Sequence, residues 1–122
     1  MSLHNQHKNH VKRLFKATGY SIAGLKSTYQ HEQAFRLEIY IFVIVTPLAI
    51  WLSQTALELV LLMGSWLFVM IVELINSAIE AIVDRIGVEK NELSGRAKDI
   101  GSAAVMVSVL LSLSIWIAVI FG

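Results

Sequence analysis

The pattern of polar and apolar positions divides the chain into a mixed N-terminal segment and a long apolar remainder. Three runs contain no charged residue: 39–57, 59–72 and 100–122. A helix that crosses the hydrocarbon core of a bilayer needs about 20 apolar residues. The first and third runs meet this length unaided, whereas the second meets it only if the helix continues past Glu73. The pattern therefore predicts three transmembrane helices, near residues 37–53, 57–84 and 98–121.

The segment before these runs has apolar residues at helical spacing with basic residues among them. The apolar positions are Val11, Leu14, Phe15, Ile22 and Leu25, and the basic ones are Lys12, Arg13, Lys16 and Lys26. This pattern is typical of an amphipathic helix in the membrane interface, with its basic groups near anionic headgroups of membrane lipids. We therefore expect one all-α membrane domain over residues 1–122. Residues 1–36 would form a cytoplasmic tail and surface helix.

The composition agrees with a membrane protein. Of the 122 residues, 56% are hydrophobic and 16% charged, whereas soluble domains are roughly half apolar and about a quarter charged. A buried soluble bundle is the alternative, but the three runs lack the polar outer face that its helices need. The absence of cysteine excludes disulfide scaffolds, thiolate zinc sites and cysteine nucleophiles. A net charge of +1 creates no field that would attract nucleic acid.

The basic residues are distributed unevenly along the chain. All the lysines and arginines lie in residues 1–36 or in residues 85–98. Cytoplasmic segments next to membrane spans are enriched in these two residues. We therefore expect the N-terminus and the second loop to face the cytoplasm, and the turn at residues 53–58 and the C-terminus to lie outside.

The second predicted span contains five polar residues that project within an arc of about 100° on an α-helix. We call them the polar face: Glu73, Asn76, Ser77, Glu80 and Asp84. A carboxylate near the bilayer centre costs about 2.5–3.5 kcal/mol on insertion scales. An interhelical hydrogen bond contributes on average about 0.6 kcal/mol. Helix association therefore explains the polar face less well than a reaction or ion pathway does.

The residue types favour phosphoryl transfer. Glu73 would lie deepest, and a carboxylate away from bulk water can act as a general base. Because the spans contain no His or Cys, carboxylates nearer the surface suit a hard cation such as Mg²⁺. Glu32, at the end of the surface helix, could share that cation with Glu80. The second loop supplies groups suited to polyphosphate and metal: Arg85, Lys90, Arg96, Lys98 and Asp99. These parts fit transfer from a nucleotide to a lipid hydroxyl, although a proton or ion pathway could use them too.

Four stretches closely resemble the prokaryotic diacylglycerol kinases. They are ATGYSIAGL at 17–25, EQAFRLE at 32–38, VMIVELINSAIEAIVDRIG at 69–87 and ELSGRAKDIGSAAV at 92–105. The specific part is the Glu-x-x-Asn-x-x-x-Glu block followed by Ala-Lys-Asp. The resemblance implies a small homotrimer with several spans in the inner (cytoplasmic) membrane of a bacterium. It would transfer the γ-phosphoryl group of Mg-ATP to diacylglycerol, giving phosphatidic acid.

The same resemblance implies roles for individual residues. Glu73 would be the general base with Asn76 in support, and Glu32 and Glu80 would be the metal ligands. The implied ATP-binding residues are Arg13, Tyr20, Glu32, Glu80, Glu89, Lys90, Asn91, Lys98 and Asp99. The implied contacts of the lipid substrate are Arg13, Glu38, Trp51, Glu73 and Ser102.

Two alternatives stay open at this point. An undecaprenol kinase would use the same machinery with a polyprenyl alcohol as acceptor, although residues 92–99 look more like the diacylglycerol branch. A proton-coupled transporter or assembly subunit is the alternative of a different class, because buried carboxylates serve there also. Trimer formation rests on the resemblance, although the third span does offer a close-packing face of small residues: Gly101, Ala104, Ser108 and Ser112.

Overall fold

The computed structural model describes residues 3–87 and 91–122, with side chains from residue 6 onward, and it is helical throughout these ranges apart from short connections. The helices in chain order are α1 (Leu3–His31), α2 (Gln33–Leu52), α3 (Ala56–Ile86) and α4 (Glu92–Phe121). The described ranges contain no strand, which confirms the predicted all-α class. The chain divides into two compact units, Met1–Glu32 with α1 and Gln33–Gly122 with the other three helices.

Helices α2, α3 and α4 are each long and apolar enough to cross a membrane. They coincide with the three predicted spans, with ends displaced by up to six residues. Helix α3 has 31 residues, so at 1.5 Å per residue it is about 46 Å long. That exceeds the hydrocarbon core, which is about 30 Å thick. The predicted continuation past Glu73 is therefore confirmed, and the helix has room to extend beyond the core.

Helix α1 is the single helix of the first unit and has the amphipathic pattern that the sequence predicts. Leu14, Phe15 and Ile22 on this helix are exposed. The helix ends at His31, and the Glu32 N–H donates to the Thr28 carbonyl at 2.8 Å. This bond completes the last turn, so Glu32 lies at the end of the helix, as predicted.

Side chains cap the starts of α3 and α4. The Thr55 hydroxyl accepts from the Glu58 N–H at 3.2 Å, and Glu58 Oε2 accepts from the Thr55 N–H at 3.2 Å. This reciprocal pair is a capping box at the start of α3. At the start of α4, Asn91 Oδ1 accepts from the N–H groups of Leu93 (2.9 Å) and Ser94 (3.4 Å). Both caps satisfy amide donors that a helix leaves without an internal partner.

Helix α3 packs against both α2 and α4. Leu62 and Val69 of α3 are fully buried. Two hydrogen bonds tie α3 to α4: one joins the hydroxyls of Ser65 and Ser112 at 2.9 Å, and the other runs from Trp116 Nε1 to the Leu62 carbonyl at 3.1 Å. Such bonds hold helices together where lipid provides no hydrophobic driving force between them.

The small residues predicted as a close-packing face of the third span are used mainly within the chain. Gly101, Ser108 and Ser112 are buried, whereas Ala104 is exposed. Gly101 faces Asn76 of α3, and Ser112 bonds to Ser65. This face therefore brings α4 close to α3.

Candidate active site

The polar face of α3 runs from the interior of the second unit to its surface. Glu73 is 4% exposed and Asn76 is 7% exposed. Ser77 and Glu80 are half-buried, and Asp84 is exposed. Burial therefore decreases toward the C-terminal end of the helix, with the two carboxylates Glu73 and Glu80 about 10 Å apart along its axis. The sequence predicts that Glu73 lies deepest and that Glu80 and Asp84 lie nearer the surface, and the burial of the three carboxylates decreases in the same order.

Asn76 lies one helical turn from Glu80 and contacts it. Its Nδ2 donates to Glu80 Oε1 at 3.2 Å. This bond fixes the amide orientation, because a carboxylate accepts hydrogen bonds and cannot donate them when ionised. The opposite amide atom, Oδ1, is buried with no hydrogen-bond partner among the described residues. It lies against Gly101 of α4, where a Cβ atom would collide with it.

An ion pair joins α3 to α4 at the exposed end of the polar face. Lys98 Nζ lies 2.7 Å from Asp84 Oδ1, and the two side chains are 44% and 63% exposed. Arg96, by contrast, lies 3.8 Å from Glu92 on its own helix. The structure thus places Lys98 beside the polar face, and it gives Asp84 a partner that residue spacing alone did not predict.

Glu38 brings a further carboxylate into the helix packing. It is buried in α2, and its backbone carbonyl accepts from Trp66 Nε1 of α3 at 2.9 Å. Its Oε1 atom is buried and has no hydrogen-bond partner within the described parts of the chain. Helix α2 therefore presents a desolvated carboxyl group next to α3.

The structure does not bring the other predicted site residues that it describes in the second unit to the polar face. Trp51 lies at the other end of α2, about 20 Å along the helix from Glu38. Asp99 and Ser102 are exposed on α4, and Asn91 uses its side chain as the N-cap. Three predicted residues belong to the first unit: Arg13, Tyr20 and Glu32. Glu89 and Lys90 lie outside the described residues.

Two contacts of this arrangement are not predicted by the sequence. The sequence indicates Asp84 as a carboxylate of the polar face but does not indicate its partner Lys98. It indicates Gly101 only as one of several small residues on the third span, without its contact to Asn76. A glycine in an apolar span is a weak signal for close helix approach, and nothing in the sequence tells which residue approaches it.

The oxygen donors of the polar face fit a magnesium ion. No three His, Cys, Asp or Glu side chains within the described ranges are grouped closely enough to hold a metal ion among themselves. Magnesium, however, is usually bound through one or two carboxylates, with substrate phosphates and water completing its shell. Glu80 is such a carboxylate, half-buried and oriented by Asn76. A ligand set of Glu80 with one further glutamate therefore suits the chemistry of this ion.

Known proteins similar to this chain share one description. Residues 19–120 match the family described as prokaryotic diacylglycerol kinase. A protein named diacylglycerol kinase from Haemophilus influenzae is 46% identical over 111 residues, which is 91% of this chain and 94% of that protein. Proteins of the same name from Escherichia coli (strain K12) and Pseudomonas aeruginosa are 50% and 41% identical, over 85% and 92% of this chain and 85% and 91% of their own lengths. The family match includes the whole polar face and the start of α4.

Proposed function

This chain belongs to the prokaryotic diacylglycerol kinase family and is a kinase, and we propose that it transfers the γ-phosphoryl group of ATP to diacylglycerol. The products would be phosphatidic acid and ADP. The observation that carries this proposal is the burial gradient along the polar face of α3. A lipid hydroxyl and a water-soluble nucleotide must meet where apolar and aqueous surroundings meet, and the face connects the buried Glu73 with the exposed Asp84.

Glu73 is the general base of the proposed reaction. Its carboxylate accepts the proton of the free hydroxyl of diacylglycerol while that oxygen forms a bond to the γ-phosphorus. The bond from the γ-phosphorus to the oxygen of ADP breaks, and ADP leaves with the negative charge. The burial of Glu73 supports this role, because few solvent water molecules can then compete with the lipid hydroxyl for the carboxylate.

Glu80 and Glu32 are the proposed ligands of Mg²⁺. A bound ion would neutralise negative charge on the phosphate groups of ATP. Asn76 supports this role by donating a hydrogen bond to Glu80 Oε1, which restrains the carboxylate and leaves its other oxygen for the metal. The role of Glu32 rests on the family resemblance and on its position at the end of α1.

The remaining binding residues are assigned from the family pattern and from charge. ATP would contact Lys98 and Asp99 on α4, as well as Arg13 and Tyr20 on α1. The connection at residues 89–91 would add further nucleotide contacts. The lipid substrate would contact Glu38, Trp51 and Ser102, with Arg13 near its headgroup. The complete enzyme would be a homotrimer in the inner membrane of a bacterium, with its N-terminus in the cytoplasm.

A phosphorylation assay tests the function and the identity of the acceptor. The purified chain in detergent micelles is incubated with γ-labelled ATP, Mg²⁺ and either diacylglycerol or undecaprenol. We expect labelled phosphatidic acid, and no label in lipid when Mg²⁺ is removed by a chelator. Faster labelling of undecaprenol would assign the chain to polyprenyl alcohols instead. Failure to label either lipid, by a chain that is folded, would contradict the proposal.

A further inference from the structure

Gly101 of α4 is distinguished from other glycines inside the described helices by what a side chain would meet there. A Cβ atom at Gly101 would collide with Asn76 Oδ1 and lie 3.2 Å from Asn76 Cγ. At Gly64 and Gly95, an added Cβ would have no atom of the described chain within 4 Å, apart from its own helix backbone and its chain neighbours. The absence of a side chain is therefore a steric requirement at Gly101 and not at the other two positions.

A methyl group at Gly101 would displace the Asn76 amide and leave the helix backbones in place. Oδ1 is the end of a side chain that can rotate, whereas the backbones of α3 and α4 are held by their own hydrogen bonds. The amide has little free space, because both its oxygen and the residue as a whole are buried. Its Nδ2 already lies 3.2 Å from Glu80 Oε1, toward the long end of the hydrogen-bond range. A rotation that clears the methyl group would lengthen or break this bond.

We propose that Gly101 is a positioning residue of the kinase, which acts on Glu80 through Asn76. Its bare Cα atom lets the Asn76 amide lie against α4, and the amide in turn holds the carboxylate of Glu80. The part of this inference that concerns the metal rests on the proposed function of Glu80. The chain of contacts from Gly101 to Asn76 to Glu80 does not rest on it.

The test compares Gly101→Ala with the matched control Gly64→Ala. Mn²⁺ serves as the probe of the metal site, and its binding in the presence of ADP is measured by electron paramagnetic resonance. Loss of a group that orients a metal ligand lowers affinity by about 10–100-fold, and we expect Gly101→Ala to weaken Mn²⁺ binding by about tenfold. Gly64→Ala should leave Mn²⁺ binding unchanged. Alanine is a better helix former than glycine, so Gly101→Ala should by itself stabilise α4. Weaker Mn²⁺ binding in this variant would therefore not come from a weakened helix.

A double-mutant cycle separates positioning from general packing. In an Asn76→Ala chain there is no amide to displace, so Gly101→Ala should cause no further loss of Mn²⁺ binding. The double variant Asn76→Ala, Gly101→Ala should also fold, even if Gly101→Ala alone does not. An equal loss in both backgrounds would overturn the proposal, because Gly101 would then act independently of Asn76. Wild-type Mn²⁺ binding by Gly101→Ala would overturn it as well.

A measurement that does not depend on kinase activity tells the two proposals apart. The side-chain amide signal of Asn76 in the ¹⁵N NMR spectrum should shift in Gly101→Ala and stay in place in Gly64→Ala. An unchanged signal would overturn the role of Gly101 while leaving the kinase proposal intact. A shifted signal, in a chain that labels neither lipid and binds no Mn²⁺ with ADP, would support the contact while contradicting the proposed function.

Discussion

Lys98 of α4 and Asp84 of α3 form an ion pair, with 2.7 Å between Nζ and Oδ1, at the exposed end of the polar face. Both side chains are about half exposed, so water screens their attraction and the pair contributes little to stability. A phosphate group carries more negative charge than a carboxylate and forms stronger charge-assisted hydrogen bonds. The pair is therefore weak enough for a nucleotide phosphate to compete with Asp84 for Lys98.

Replacement of each partner should have unequal effects on ATP use. Lys98→Gln removes the positive charge proposed to contact phosphate, and we expect the KM for ATP to rise by about tenfold or more. Asp84→Asn keeps the shape and removes only the screened attraction, so the KM should change by at most about fivefold. Steady-state kinetics at saturating lipid measures both values. Equal, large effects would mean that the pair itself, and not the free lysine, is what ATP binding requires.

Glu73→Gln preserves the volume of the side chain but removes its ability to accept a proton. We expect turnover to fall by about 10²–10⁴-fold, the usual contribution of a general base. Binding of Mg-ATP should persist, because Glu73 is not proposed as a metal ligand. Glu92→Gln is the matched control, since Glu92 is an exposed carboxylate paired only weakly with Arg96. Near-normal turnover of Glu73→Gln would remove this residue from the mechanism.

The proposed metal ligands should respond to magnesium concentration. Glu80→Gln and Glu32→Gln each remove one charged oxygen donor, and a hard cation is bound less tightly by an amide than by a carboxylate. We expect the Mg²⁺ concentration for half-maximal turnover to rise in each variant by more than the roughly tenfold cost of losing a group that only orients a ligand. An unchanged magnesium dependence in both variants would make these carboxylates structural and would contradict the shared-cation proposal.

Membrane orientation can be tested with cysteine labelling, because the natural chain contains no cysteine. Leu93 and Gln54 are both exposed and lie near opposite ends of α3. A reagent that reacts with thiols but cannot cross membranes is added to intact bacteria that express Leu93→Cys or Gln54→Cys. Labelling of Gln54→Cys alone is expected, with Leu93→Cys reacting only after the membrane is opened. The reverse pattern would place the proposed nucleotide site outside the cell, where a kinase that uses cytoplasmic ATP could not work.

Features that depend on neighbours in sequence could be predicted for this chain. The three spans follow from the length of the uncharged runs, and the polar face follows from helical periodicity between Glu73 and Asp84. Its interpretation as a functional feature rests on the cost of placing carboxylates in lipid. The close match of predicted and observed helices reflects the strength of these two local signals.

Features that depend on the rotation and shift of one helix against another could not be predicted. The contact of Asn76 with Gly101 and the pairing of Asp84 with Lys98 join residues on different helices. Periodicity places each residue on a face of its own helix but does not say which residue of the facing helix lies opposite. Asn91 is a different case, since its position before Glu92 is a local signal for an N-cap, which the nucleotide-binding interpretation left out.

The hydrogen bond between the hydroxyls of Ser65 and Ser112 joins α4 to α3 at a distance from the polar face, and it has the same register as the contact of Gly101 with Asn76. Asn76 follows Ser65 by eleven positions on α3, and Ser112 follows Gly101 by eleven positions on α4. The two antiparallel helices therefore keep a constant register over about 16 Å. If α4 slid by one turn, Asn76 would face residue 97 or 98, or 104 or 105, instead of Gly101, and each of these has a side chain. The serine pair therefore helps to hold Gly101, which has no side chain, at the level of Asn76, where a shift of α4 by one turn would place a side chain.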